Sequence, residues 1–240
     1  MTPYSAPPYQ SSTASYQEQV AREQATFMRK VYAIMAGGLA ATAVTSLAVA
    51  SSETAIRFVF GNPFVFYGLL IAELAMVFTF SMIARKVSSI AAGLLFFTYA
   101  ITNGVTLACI FLIYTRSSIA STFFVSSGTF GAMSAYGYLT KRDLSGLGSF
   151  AMMGLIGLII ASVVNLVLGS EMIYWLTTFV GVIVFVSLTA YDTQKIKALN
   201  VIGNEGTDED RKEAIYGALI LYLDFINLFL YLLRLFGRRR

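Results

Sequence analysis

Four ionisable residues stand inside, or at the edge of, long apolar runs, and they bound the chemistry this chain could do. Glu73 sits in the middle of FVFYGLLIAELAMVFTFSMIA and Asp224 in the middle of LILYLDFINLFLYLL. Asp192 lies near the end of a third run, in SLTAYDTQKI, and Arg85 closes the Glu73 run. Intramembrane carboxylates are rare, costly, and usually face a bundle interior or a water-filled cavity. Their oxygens suit two tasks, holding a shared proton and ligating a hard cation such as calcium. Depth along the runs suggests two pairings, Glu73 with Asp224 near the midplane and Arg85 with Asp192 at one mouth. Two close carboxylates resist double ionisation and titrate as a unit. The bland alternatives are a protonated acid, an acid hydrogen-bonded to a neighbouring helix, and a snorkelling arginine. On the last run Asp224, Asn227 and Tyr231 fall at i, i+3 and i+7 and so share one helix face, which should look inward. Asn227, Asn103 and Asn165 could equally be helix-packing hydrogen bonds.

What is missing narrows the field further. Histidine is absent and Cys109 is the only cysteine. That excludes Ser-His-Asp and Cys-His catalysis, HExxH zinc sites, imidazole switches and intramolecular disulfides. No GxxxxGK[ST] loop is present, which argues against ATP-driven pumping. The acidic stretch GNEGTDEDRKE lacks the ligand order of a calcium loop and reads as a solvated connection.

These residues must be positioned by membrane helices. The chain of 240 residues is 57% hydrophobic and 12% charged, about half the ~25% charge of soluble domains. Seven apolar segments are expected at 31–50, 64–84, 88–114, 118–139, 149–168, 172–192 and 214–236, each near the ~20 residues that span a bilayer as a helix. The runs do not alternate in polarity, so helices are expected rather than a barrel. The fold class is therefore an all-α polytopic membrane protein with seven transmembrane helices, over residues 25–240. Residues 1–24, rich in Pro, Ser, Tyr and Gln, read as a disordered polar tail. The run 31–50 is too long for a cleaved signal segment. Small residues at four-residue spacing, Ala33–Gly37–Ala41, Gly128–Ala132 and Gly131–Ala135, read as packing faces. Alternating seven spans puts eleven of the 17 Lys and Arg on the N-terminal side, so the N-terminus is expected in the cytoplasm. The segment FGRRR then faces outward against the rule, unless the last segment turns back.

The segments GALILYLDFINLFLYLLRLFG and GVIVFVSLTAYDTQKIK, with KRDLSGLG after the fourth segment, resemble the Bax-inhibitor family of membrane proteins, and its bacterial branch in particular. The resemblance covers roughly residues 20–237. It implies a central last helix wrapped by two three-helix groups. It also implies a pH-sensitive calcium leak in a bacterial inner membrane, with Asp192 and Asp224 as the proton-sharing sensor, Glu73 as the pore-lining acid and an arginine near the end of the second helix as their partner. Here Arg85 stands one position late, with Ala84 in the expected slot.

The leading expectation is a passive calcium conduit, closed by a shared proton and loosened when both aspartates ionise. Glu73, Asn227 and Asn103 would line the pathway, and Glu73, Asp192 and Asp224 would ligate calcium transiently. No cofactor, catalytic residue or nucleic-acid partner is expected; the partners are lipid, calcium and protons. A second reading is a regulatory protein that binds a membrane-embedded ATP-dependent protease or stress and cell-death factors, with residues 1–24 as the handle. A third is an intramembrane aspartyl protease, which the absence of a G-x-G-D motif opposes. A retinal receptor would need a lysine in the last segment.

Overall fold

The computed structural model describes residues 10–83 and 86–240, with side chains from residue 16 onward. Among these residues it holds α1 (Gln10–Ser51), α2 (Glu53–Phe60), α3 (Pro63–Ile83), α4 (Ser89–Leu107), α5 (Ile110–Ile113), α6 (Arg116–Leu139), α7 (Ser145–Leu168), α8 (Glu171–Leu199) and α9 (Asp208–Phe236). Serine or threonine starts five of them. Ser52, Ser88, Thr115, Ser170 and Thr207 each accept from the backbone N–H three residues on, which satisfies donors the helix itself cannot. Among the described residues six helices are long and apolar enough to cross a membrane: α1, α3, α4 continued through α5, α7, α8 and α9. α6 is long enough at 24 residues, but its SSIASTFFVSSGT stretch dilutes the apolar character.

Every expected segment is helical among the described residues; the differences are longer ends, one internal break and one extra short helix. α8 and α9 extend past the apolar runs because charged turns in water remain helical. Glu171 and Lys197 in α8, and Asp208, Glu209, Asp210 and Arg234 in α9, oppose the helix dipole at each end. The segment 88–114 breaks at Ala108–Cys109, just after Gly104-Val105-Thr106, a run of poor helix formers. The connection 53–60 is itself a helix, held by an Arg57–Glu53 pair at 2.6 Å. α1 begins at Gln10, inside the stretch expected to be disordered; residues 1–9 lie outside the described residues. Its polar turns carry i,i+4 contacts, Arg22–Glu18 at 3.9 Å and Gln19 to Glu23 at 3.0 Å, of the kind that supports a solvated helix.

α9 packs against α1, α4, α6 and α8. Its most apolar window is 56% buried, against 11% for α3 and for α7. The outward faces carry large apolar residues such as Phe64, Leu166 and Val167, as lipid-facing surfaces do. Close approaches occur where a side chain is absent. A Cβ at Gly137 would lie 2.1 Å from the Ala190 carbonyl oxygen on α8, and one at Gly104 would lie 2.7 Å from the Thr42 oxygen on α1. The expected packing faces at Gly128–Ala132 and Gly131–Ala135 point outward instead, with nothing near either glycine. Four-residue spacing alone does not say which face of α6 meets a neighbour.

The bundle has two tied ends. At one, Lys30 pairs with buried Asp210 at 2.7 Å, the Ser89 N–H donates to Asp208, and the Gly203 N–H donates to Glu23. The stretch expected to be merely solvated thus anchors α1, α4 and α9 together. At the other end the Thr115 N–H donates to the Arg238 carbonyl, the Arg240 N–H to the Ile113 carbonyl, and the Arg238 N–H to Ser118 Oγ. The FGRRR segment therefore meets the turn between α5 and α6, and α9 runs the length of the bundle without turning back. Replacing Gly137 with Val should lower stability by about 1–3 kcal/mol through overpacking, whereas Gly128→Val should leave it nearly unchanged. Thermal unfolding of the two purified variants in detergent separates these outcomes.

Candidate functional site

The register of α8 against α9 is set by two glycines. Gly217 admits Ile196, and Gly181 admits the Tyr231 ring. Between these contacts Asp224 falls about one helical turn from the level of Asp192. The two helices are antiparallel, and each side chain leans toward its own N-terminus. Asp224 therefore leans toward Asp192 and Asp192 toward Asp224. Their carboxyl groups come within hydrogen-bonding reach of each other. Asp224 is buried, and its Oδ2 has no donor among the described residues. A carboxyl oxygen without a donor can be met only by a protonated neighbour. Lys195, exposed one turn further along α8, is a nearby cation. Arg85, the expected partner of Asp192, lies outside the described residues.

Glu73 and Asp224 lie at similar depth but do not pair: Tyr222, two residues before Asp224, reaches Asn103, the partner of Glu73, while Asp224 stands on the opposite side of α9, toward α8. Asp192 lies deeper than its apolar run implies because α8 continues to Leu199, which brings it to the level of Asp224. Glu73 Oε2 accepts from Asn103 Nδ2 at 3.3 Å, and its Oε1 accepts a short hydrogen bond from Thr106 Oγ1. Asn103 Oδ1 accepts from the Tyr222 hydroxyl at 3.1 Å, and that hydroxyl meets Thr42 Oγ1 at 2.7 Å. With the Tyr222 proton given to Asn103, the single Thr42 proton goes to Tyr222, and the Ala100 and Gly38 carbonyls, 2.8 and 3.0 Å from Thr42 Oγ1, are the alternative acceptors for it. A continuous polar chain thus runs from α1 through α9 and α4 to the carboxylate on α3. Tyr222 sits at its centre, fully buried and edge-on to Phe96 and Tyr99.

The Asp224, Asn227 and Tyr231 face turns toward α8, as their spacing suggests: Tyr231 stacks on Phe185 at 5.7 Å. Asn227, however, donates to the Leu223 carbonyl of its own helix at 2.8 Å, and Asn165 closes α7 by accepting from the Ser170 N–H. Asn103 alone of the three joins a titratable side chain. Thr42, Thr106 and Tyr222 were missed. Thr106 was recoverable, since it stands three residues after Asn103 on one helix face; Thr42 and Tyr222 were not, because uncharged hydroxyls carry no signal of depth. No group of three or more Asp, Glu, Cys or His side chains that could hold a metal occurs among the described residues. Glu73 and the Asp192–Asp224 pair are two sites, not one ligand set.

A cavity of about 560 Å³ reaches Glu73, Asn103 and Thr106 from the end where Tyr114, Tyr174 and Arg239 stand. Polar groups enclosed by helices of this length and apolarity define a multi-pass membrane protein with buried acids in its interior. Residues 24–240 match the family described as "Inhibitor of apoptosis-promoting Bax1". The chain belongs to this, the Bax-inhibitor family. It is 51% identical over 216 residues to Inner membrane protein YbhL of Escherichia coli K12, covering 90% of this chain and 92% of that protein. A Rickettsia prowazekii protein, RP147, is 47% identical over 89% of this chain and 90% of its own length. A Borreliella burgdorferi protein is 42% identical, over 89% and 92%.

Replacing Tyr222 with Phe removes a hydroxyl on which both Asn103 and Thr42 rely, and should cost about 1–3 kcal/mol. Thr42→Val should be non-additive with it, because both substitutions break the same contact. A double-mutant cycle on thermal stability checks this; strict additivity would show that the polar chain is not a unit.

Proposed function

We propose that the protein is a passive, pH-sensitive calcium conduit of the bacterial inner membrane, gated by the Asp192–Asp224 pair. The observation that carries this reading is the pair itself: two carboxyls leaning together between adjacent helices, one of them buried with an oxygen that no other donor meets. Seven spans, counting α6, would place α9 on the axis with two three-helix groups around it and the N-terminus in the cytoplasm. The preponderance of Lys and Arg on that side supports this orientation. The inner-membrane location follows the name of the Escherichia coli relative.

In this mechanism one shared proton bridges α8 to α9 and holds the closed packing. When pH rises and the second carboxyl ionises, two like charges face each other where water does not screen them. The repulsion loosens α8 from α9. Glu73, oriented by Asn103 and Thr106, supplies a hard oxygen along the pathway, where acidic side chains favour cations. Asp192→Asn or Asp224→Asn replaces a titrating partner with a neutral amide of the same shape. No catalytic step is invoked, and no ATP is needed for flux down a gradient.

Calcium entry into liposomes holding purified protein should rise several-fold from pH 6 to pH 8. Either asparagine variant should flatten that dependence, and Glu73→Gln should lower flux at every pH while leaving the dependence in place. A wild-type pH profile retained by both asparagine variants would falsify the sensor assignment.

A further inference from the structure

Two cavities meet at one set of side chains. The inner one, about 560 Å³, holds Glu73 and Cys109. The outer one, about 630 Å³, opens past Asn165, Ser170 and Trp175. Tyr174, Arg234 and Arg239 line both and so stand between them. Both arginines are exposed and are held by tyrosines. Arg239 donates to the Tyr174 hydroxyl at 3.1 Å, and Tyr114 lines the inner cavity beside it. Arg234 lies over the Tyr231 ring at 5.3 Å and the Tyr174 ring at 5.9 Å. Neither has a carboxylate partner among the salt bridges of the described residues. The backbone of 238–240 is in turn pinned to Ile113, Thr115 and Ser118.

We propose that Arg234 and Arg239 are specificity-determining residues, forming a positively charged partition that keeps cations out of the Glu73 chamber while segment 238–240 is docked. Glu171 is the one acid lining the outer cavity and is in salt-bridge contact with neither arginine, so two guanidiniums against one carboxylate leave a net positive charge that repels a cation approaching the Glu73 chamber. Tyrosine rings and hydroxyls hold them across the opening. Docking of 238–240 keeps Arg239 there through backbone contacts, independent of its side chain. In the conduit reading, on which the physiological role of the partition rests, this is a second closure in series with the aspartate pair.

Cys109 is the sole thiol and lines the inner chamber, so it reports passage without any calcium measurement. Purified protein in detergent is treated with thiol reagents of similar size, one bearing a quaternary ammonium and one a sulfonate, and modification is followed by mass spectrometry. In Arg239→Ala, and more so in Arg234→Ala/Arg239→Ala, the ratio of cationic to anionic rate should rise about tenfold over the wild type, a change in the range that focused fields produce. Arg239→Lys should keep the wild-type ratio, and removal of 238–240 should raise both rates. Matching thermal midpoints establish that the variants are folded. An unchanged ratio in the double variant, or a Cys109 that stays unmodified in every folded variant yet reacts once unfolded, overturns the partition. Calcium flux on the same variants tests the other reading separately: an altered labelling ratio with no change in flux leaves the partition standing and removes the conduit.

Discussion

A carboxyl group inside a membrane protein cannot turn to bulk water, so it must find its partners in the bundle. That constraint organises this structure. Asp224 and Glu73 are buried at 5% and 8% exposure, and each is answered differently. Glu73 is answered by an amide and a hydroxyl from α4, backed by Tyr222 and Thr42. Asp224 faces a second acid, Asp192 on α8, and its Oδ2 has no donor among the described residues. Burying α9 on several sides is the condition for both arrangements, because a helix exposed to lipid could shelter neither.

Close backbone approach makes that burial possible. Without a hydrophobic drive between helices in lipid, association rests on packing and interhelical hydrogen bonds. Here Gly137 lets α6 lie against the Ala190 backbone, while Gly181 and Gly217 accept Tyr231 and Ile196 across the α8–α9 contact. These last two glycines do more than fill space. They set the axial register that brings two aspartates, thirty-two positions apart in the sequence, to within reach of one another.

Much of the architecture was legible because hydropathy measures a property that lipid selects directly. Six of the seven expected spans, the absence of strands among the described residues, and the inward face of Asp224, Asn227 and Tyr231 follow from it; the segment 118–139 is helical but, with its serines and threonines, not apolar enough to be told as a span. Helix ends were less legible, since charged turns at Glu171, Lys197 and Asp208–Asp210 leave the apolar run without leaving the helix. The site was legible only where charge marked it. Glu73, Asp192 and Asp224 stand out against apolar neighbours, but their pairing depends on interhelical register, which no single run encodes. Asp210 was hidden for the opposite reason. It sits among acidic residues and looks solvated, yet Lys30, far away in sequence, covers it at 2.7 Å.

Tyr222 and Asp224 are two residues apart on one helix, so they project roughly 200° apart around its axis. One belongs to the hydrogen-bond chain that ends at Glu73, the other to the carboxyl pair on α8. A continuous helix turns and slides as a rigid shaft. Any axial slip or twist of α9 that lengthens the Asp224 contact therefore displaces the Tyr222 hydroxyl from Asn103 and Thr42 as well. The two acidic sites share no side chain, but they are geared to the same spindle, and neither can be rearranged by that motion without disturbing the other.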